Sequence, residues 1–300
     1  MIEAKVIEDS ISEAGARLTT LQLKYPRFIH AEAKTHRIVS QSIEEMILLT
    51  QDDGFMSDTN LSRNASSSRA IPVAKMIEQV RNNPAMPIHW GKNQSGMQAR
   101  KELTGHDLQQ VQNAWRVAAE HAADLAQRML EHGAHKQVVN RILEPFQWMH
   151  VVATATEWGN FFELRDHEDA QPEIHYLARQ MRAAMDASSP VPRVLDRSSA
   201  YNWHLPYISA DERFERQDEP ELLAKASTAR CARVTALNHD GTNPVLEKDL
   251  VLFDRLVGAR PLHASPTEHQ GYPMRLATAQ SKNFRGWRQW RERVEFDHQF

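Results

Sequence analysis

The sequence predicts a single α+β unit in which a small, mainly antiparallel sheet is flanked by long helices. Three observations lead there. Between Asp107 and His132 the apolar residues Leu108, Val111, Trp115, Ala118, Ala122, Leu125 and Met129 recur alternately three and four apart, the period of one buried helical stripe. The segment FQWMHVVATATEW, residues 146–158, is rich in β-branched and aromatic residues at a length unfriendly to a lone helix, and reads as strand. No Gly-x-Gly-x-x-Gly and no phosphate loop ending in Gly-Lys-Ser/Thr occurs, so a Rossmann or P-loop nucleotide fold has no support.

The remaining elements follow in chain order. Gly133 supplies a C-cap for the long helix, and a shorter helix through Val138, Val139 and Ile142 ends before Pro145. After Gly159 a short turn of helix carries Asn160 to Leu164. A polar stretch, RDHEDAQ, leads to a helix opening at Pro172 with Ile174, Leu177, Ala178, Met181 and Met185 on one face. Residues 186–219 mix Pro, Ser, charge and scattered aromatics and read as a long ordered connection. Beyond it ELLAKASTARCARVTAL and LEKDLVLFDRLVG read as two helices separated by the turn-rich NHDGTNP, and RGWRQWRERVE as a terminal amphipathic helix with snorkelling arginines.

Composition narrows the function classes. With 300 residues, 36 Lys+Arg and 39 Asp+Glu the formal charge is −3, which argues against wholesale coating of nucleic acid or an anionic membrane. The single cysteine, Cys231, cannot form an internal disulfide, and its place inside a predicted helix makes it a buried, inert thiol. The N-terminus is acidic without an apolar signal core, and no run approaches the roughly 18 apolar residues of a membrane span. A soluble cytoplasmic protein is expected.

Two segments carry candidate chemistry. SRNASSSR, residues 62–69, packs hydroxyls, an amide and two guanidinium forks into eight positions, a donor set that suits a phosphate monoester. Thr35, His36 and Arg37 lie upstream and add donors. LRDHEDAQPEI, residues 164–174, holds a histidine and three carboxylates, but adjacent residues do not share a helix face and a helix N-terminus attracts Asp and Glu without any metal. No metal site is expected.

Together these segments resemble the flavin-dependent thymidylate synthases, particularly their phage-type members. The family's Arg-His-Arg, seven residues, then Ser-x-Arg is matched by Thr35-His36-Arg37 and, after an inserted stretch at residues 40–61, by Ser67-Ser68-Arg69. Arg141-Ile142-Leu143 and NFFELRDHEDAQPEI resemble the second half of the family. ARCARVTALNHDG, EKDLVLFDRLVG and HASPTEHQ resemble a stretch that usually begins such enzymes, so the order looks permuted. PAMPIHWGKNQSGMQAR, residues 84–100, has the look of the phage-type members without an assigned role. The organisation expected is one domain: a main block, 1–190, with the insertion, a connection at 191–220, and a C-terminal block, 221–300, completing it.

The resemblance implies reductive methylation of dUMP to dTMP, with methylenetetrahydrofolate as carbon donor, FAD as hydride carrier and NADPH as reductant. By it Ser67, Ser68, Arg69 and Arg141 bind the nucleotide phosphate, and Arg165 holds the uracil and stabilises negative charge as the ring is activated. His36, Arg37, Asn64, Asn160, Thr235 and His269 face FAD. Thr35 stands in place of the first signature arginine, and Asp169 in the usual place of a histidine. A homotetramer with sites between subunits is implied. Alternatives of the same fold are a folate-dependent pyrimidine nucleotide hydroxymethylase and a nucleotide- or flavin-binding homologue whose insertion abolishes catalysis.

Overall fold

The chain opens with a hairpin: β1 (Glu3–Ser12) and β2 (Arg17–Pro26) pair antiparallel around a turn in which Gly15 takes φ +85°, a conformation glycine adopts without a Cβ clash. The computed structural model describes residues 1–30, 61–65, 71–96, 98–237, 241–260 and 262–298. Within these, β3 (Leu61–Ala65), α1 (Val73–Asn82), α2 (Gly105–Glu131), α3 (Lys136–Ile142), β4 (Trp148–Ala155), α4 (Gly159–Arg165), α5 (Pro172–Asp186) and β5 (Val191–Arg193) follow the hairpin. The C-terminal part contains α6 (Ala210–Glu215), α7 (Pro220–Arg233), α8 (Leu246–Val257), β6 (Gly271–Pro273), β7 (Gln280–Ser281), β8 (Phe284–Arg285), β9 (Trp287–Gln289) and α9 (Trp290–His298).

A five-stranded sheet runs in the order β3-β4-β2-β1-β5. Every pairing is antiparallel except that of β1 with β5, so the α+β class with a small, mainly antiparallel sheet is the observed one. Alternation along the central strands gives the sheet two unlike faces. Leu21, Leu23 and Tyr25 of β2 and Met149, Val151, Ala153 and Ala155 of β4 form an apolar face, onto which α5 lays Ile174, Leu177, Ala178, Met181 and Met185. These five are the residues its spacing predicts. Burying a Leu, Ile or Met of this kind contributes about 1.5–3 kcal/mol each, so this contact anchors the domain. Phe162 of α4 fills the same core, which fixes the short helix that ends at Arg165.

The long helix α2 is present, and Trp115, Ala122 and Met129 of the predicted stripe pack, partly buried, against its neighbours, but its fully buried residues are not the predicted ones. Ala119, Ala123 and Ala126 are buried against Val73, Met76, Ile77 and Val80 of α1 and Val139 of α3. Val111 and Leu125 are exposed, at 41% and 51%. Spacing weights the large apolar side chains. The contact instead selects alanines, which let two helices approach closely, and the stripe is displaced by about one residue around the helix.

The 186–219 connection holds more structure than predicted: β5 extends the sheet, and Ser209 with Glu212 forms a capping box that starts α6. Both C-terminal helices form as expected, α7 opening with Pro220 in its first turn. They are clamped together by Asp249, whose carboxylate meets Arg230 Nε at 2.8 Å and Arg233 Nη2 at 2.5 Å. Trp203, Leu205, Leu223, Phe253, Trp290 and Val294 make a second core under them. Among the described residues no helix is long and apolar enough to cross a membrane.

Candidate active site

The second face of the sheet is largely polar, with Leu18 and Val152 among its polar residues, and is covered by the C-terminal part of the chain. Ser10 of β1, Thr20 and Gln22 of β2, Thr154 of β4, and Ser62 and Asn64 of β3 meet side chains from beyond residue 200. Thr20 Oγ1 lies 2.7 Å from both Thr154 Oγ1 and His204 Nε2, and Thr154 Oγ1 lies 2.8 Å from His269 Nδ1. His204 Nδ1 meets Ser10 Oγ at 3.0 Å. Tyr207 Oη donates to Gln22 Oε1 at 3.0 Å, and Gln289 Nε2 donates to Ser62 Oγ at 3.0 Å. His204 and His269 are fully buried. Burial pushes the His269 ring pKa down to about 3. It pushes that of His204 well below the ordinary value, with the charges of Arg193 and Arg213 adding to the effect. Both rings are therefore neutral at pH 7. His269 Nε2 is shielded from solvent and has no hydrogen-bond partner among the described residues; an orphan of this kind costs about 1–3 kcal/mol.

Three of the predicted cofactor residues come together beside this face. Asn64 donates from Nδ2 to the carbonyls of Cys231 and Ala232 at 2.9 and 3.3 Å, at the C-terminal end of α7, and accepts from Ser265 Oγ at 3.3 Å. Ser265 opens the short 3-10 turn that ends at His269. Thr235 lies just past α7, its amide returning to the Arg230 carbonyl at 3.2 Å and its Oγ1 accepting from Leu237 N–H at 3.1 Å. Val234 between them is left-handed, at φ +59°. For a β-branched residue that conformation stores strain of order 1–3 kcal/mol, so the packing of α7 against β3 holds the Thr235 turn in place. Cys231 is buried and its thiol pKa is pushed up by that burial, which makes it inert.

Asn160 and Arg165 sit at the two ends of α4, directly after β4. Arg165 is half-buried, and its Nε is shielded without a partner among the described residues. The next residue, Asp166, is fixed by Arg182 Nε at 2.6 Å and faces His175 Nε2 at 3.5 Å, while the Arg182 guanidinium stacks on Phe162 at 4.5 Å. Arg141 ends α3 and is 57% exposed, pairing with Glu144 Oε1 at 2.8 Å; Arg27 Nη2 meets the same oxygen at 2.8 Å. Among the described residues no hydrogen bond or ion pair joins Arg141 to Arg165.

His36, Arg37, Ser67, Ser68 and Arg69 lie outside the described residues, as does the insertion at 40–61 apart from Leu61, which opens β3. The described neighbours of the Ser67 to Arg69 segment lie at the Arg141 end of β4. Ala65 pairs with Val151, and the Ile71 carbonyl accepts from Asn140 Nδ2 at 3.0 Å, one residue before Arg141.

Sequence reasoning missed two features. One is the polar chain through Thr20, Thr154 and His204, whose signal is the alternation of polar with apolar residues along both central strands. The other is the fold of the segment singled out at 84–100 without a role: residues 85–96 and 98–103 form an arm that roofs a cleft of about 1040 Å³ next to the loop following Arg165. Its two limbs are bonded from Lys92 N–H to the Lys101 carbonyl at 2.7 Å and from Leu103 N–H to the Trp90 carbonyl at 2.8 Å. Ile88 N–H donates to Glu173 Oε1 at 2.8 Å, and Arg100 Nη2 pairs with Asp169 Oδ1 at 2.9 Å, so the residue standing in place of the family histidine anchors the arm. The limbs touch at Gly91, where a Cβ would fall 2.3 Å from that of Ala99.

In sequence, no curated protein matches the chain. Among solved structures, a UMP/dUMP methylase from Streptomyces cacaoi bound with 5-Br dUMP is 17% identical over 62% of this chain and 90% of its own, with a TM-score of 0.44. Thymidylate synthase X from Helicobacter pylori with FAD and dUMP is 15% identical over 56% of this chain and 67% of its own, with a TM-score of 0.36. The sequence profile of the family described as thymidylate synthase complementing protein matches residues 16–191, which include β2, β3, β4 and both Arg141 and Arg165. Since that match takes in more than half of the 300 residues, the chain belongs to the thymidylate synthase complementing protein family.

Proposed function

We propose that the chain is an FAD-dependent thymidylate synthase that reductively methylates dUMP to dTMP, taking the carbon from methylenetetrahydrofolate and reducing equivalents from NADPH. The family match across residues 16–191 carries this reading, because it spans both the Ser62 to Arg69 segment and the Arg141 to Gln171 segment. The unpartnered, shielded nitrogens of His269 and Arg165 fit a planar ligand rich in carbonyl acceptors, as a flavin or a uracil is.

FAD, when bound, supplies the hydride. The protein's own work is binding and orientation. Arg165 donates to the uracil and offsets negative charge as it develops on the ring. Arg141 turns from Glu144 to the nucleotide phosphate, joined by Ser67, Ser68 and Arg69; Glu144 keeps Arg27, so the exchange strands no carboxylate. Breaking an exposed pair of this kind costs about 0–1 kcal/mol. His36, Arg37, Asn64, Asn160, Thr235 and His269 hold FAD. The C-terminal block, together with His204 and Tyr207 of the connection, completes the domain by covering the polar face of the sheet. A homo-oligomer, a homotetramer by the family resemblance, would bring phosphate and flavin residues from different subunits together, and the exposed Val117 and Leu125 on α2 suit such a contact.

The test is direct. Purified protein should show flavin absorbance and release tritium from carbon-5-labelled dUMP in the presence of methylenetetrahydrofolate and NADPH. A colourless protein that releases none would overturn the proposal.

A further inference from the structure

We propose that a one-way hydrogen-bond chain starting at Arg193 holds His269 as an Nε2–H donor aimed at a carbonyl oxygen or bare ring nitrogen of a bound heterocycle. Thr154, Thr20, His204 and Ser10 are its positioning residues. The direction follows from which groups can give and which can accept. Arg193 can only donate, and its Nε–H reaches Ser10 Oγ at 3.3 Å. The other partner of Ser10 Oγ is His204 Nδ1 at 3.0 Å, so the hydroxyl proton has a home only if Nδ1 accepts it. His204 then carries its own proton on Nε2 and donates to Thr20 Oγ1. Thr20 gives its proton to Thr154, and Thr154 gives its proton to His269 Nδ1.

A neutral His269 whose Nδ1 accepts must be protonated on Nε2, and that atom has no partner. The reverse order fails at the first link: Ser10 would accept from Arg193 and His204 together and strand its own proton. Arg193 is itself locked in place by Glu8, at 2.7 Å, and by the Tyr201 carbonyl, so it does not turn away. The chain crosses from β1 to β2 to β4 and back to the C-terminal part of the molecule, which makes the covering segment and the sheet jointly responsible for one tautomer. The ligand half of the proposal rests on the functional reading above; the tautomer half does not.

Nitrogen-15 labelling of the histidines in the full chain tests both. Two-bond proton–nitrogen correlations distinguish the two neutral tautomers, and His204→Asn and His269→Asn assign the signals. Wild type should show the Nε2–H pattern at His204 and His269 from pH 8 to pH 6. In Thr154→Val, His269 should lose its single tautomer while His204 keeps its own, and Thr154→Ser should restore the wild-type pattern. Thr20→Val, which cuts the chain one link earlier, should release His269 in the same way and serves where Thr154→Val does not fold. An Nδ1–H pattern at His269 in wild type, or a pattern unchanged by both valine variants, would overturn the chain order. Saturating FAD should displace the His269 Nε2 signal; one unmoved by FAD and by dUMP overturns the ligand assignment and leaves a buried donor without a ligand. Absence of flavin colour with the tautomers in order would count against the proposed function alone.

Discussion

Acidifying the protein from pH 7 to pH 5 should unload stability through His269, and the size of the loss follows from its burial. The ring titrates near about 3 in the folded chain because burial penalises its charged form. Released on unfolding, it regains the ordinary histidine value near about 6.5. The folded pKa is depressed, so the stabilisation is fully present above the unfolded value and is lost as pH falls toward the folded one. In the window between them the unfolded chain binds the extra proton, and stability falls by about 1.4 kcal/mol per pH unit. Integrated from pH 7 to pH 5 the loss is about 2 kcal/mol, and it changes little for any folded value well below 5. His204 shifts in the same direction and adds to the total in wild type. Glu8 and Glu268, whose carboxyl pKa values burial raises, oppose it, because folding then favours their protonated forms. Urea unfolding of wild type and His269→Asn at pH 7, 6 and 5 removes these other groups by difference, since the asparagine amide can still bond Thr154 without titrating. Wild type should lose about 2 kcal/mol more than the variant over that range. Parallel curves would show that His269 is solvated or already charged, and the account of a neutral buried ring would fail.

Four further outcomes follow from named contacts. Asp249→Ala strips Arg233 of its carboxylate and leaves Arg230 with Glu212 alone, and loss of the buried partner should destabilise the chain by about 3–5 kcal/mol in chemical denaturation; a loss under 1 kcal/mol would mean the pair is hydrated. Arg165→Ala should weaken dUMP binding in calorimetry by about ten- to a hundredfold, the equivalent of about 1.5–3 kcal/mol of charge-assisted hydrogen bonding, and unchanged affinity would remove Arg165 from the site. Arg141→Ala should alter the unfolding midpoint little, because its pair with Glu144 is exposed, yet flatten the salt dependence of dUMP binding; an unchanged salt slope would exclude a phosphate contact. Gly91→Ala pushes the limbs of the arm apart, so the amides of Lys92 and Leu103 should exchange hydrogen faster while those of β4 do not, and equal exchange would show that the limbs are not held at that point.

How much of this was legible in the sequence depends on whether a signal was periodic or topological. The five residues that α5 buries were readable because a helix lying on a sheet repeats its contact every turn, and β4 was readable because β-branched residues cluster where both faces are covered. The stripe of α2 was read only in part, Trp115, Ala122 and Met129 packing as expected, for a physical reason: its fully buried contact is built from alanines, which permit close approach but contribute little hydrophobicity, so Val111 and Leu125 outweigh them in any pattern. The site divides in the same way. Arg141, Asn160 and Arg165 occupy positions that local motifs reveal, at the ends of α3 and α4. Nothing local reveals that Ser10, Thr20, Thr154, His204 and His269 form one chain, because its links join residues from β1 to the turn before β6.

That polar chain also bears on why the C-terminal part of the molecule stays on the sheet. An apolar cover would leave the hydroxyls of Thr20 and Thr154 with only each other, so that one hydroxyl proton would go unmet, at about 1–3 kcal/mol. A cover bearing His204 and His269 meets them in one register only, since the next residue of β4 on the face of Thr154 is Val152, which has no hydroxyl to offer. The same hydrogen bonds that fix the docking register therefore fix the tautomer of His269. A substitution such as Thr154→Val consequently acts on two properties at once: the affinity of the C-terminal segment for the sheet and the availability of the Nε2–H donor. Thr154→Ser separates them from simple packing, because it keeps the hydroxyl and removes only a methyl group. If tautomer order and stability return together in the serine variant, the hydroxyl is the shared cause; if stability returns without the order, docking and donor are independent.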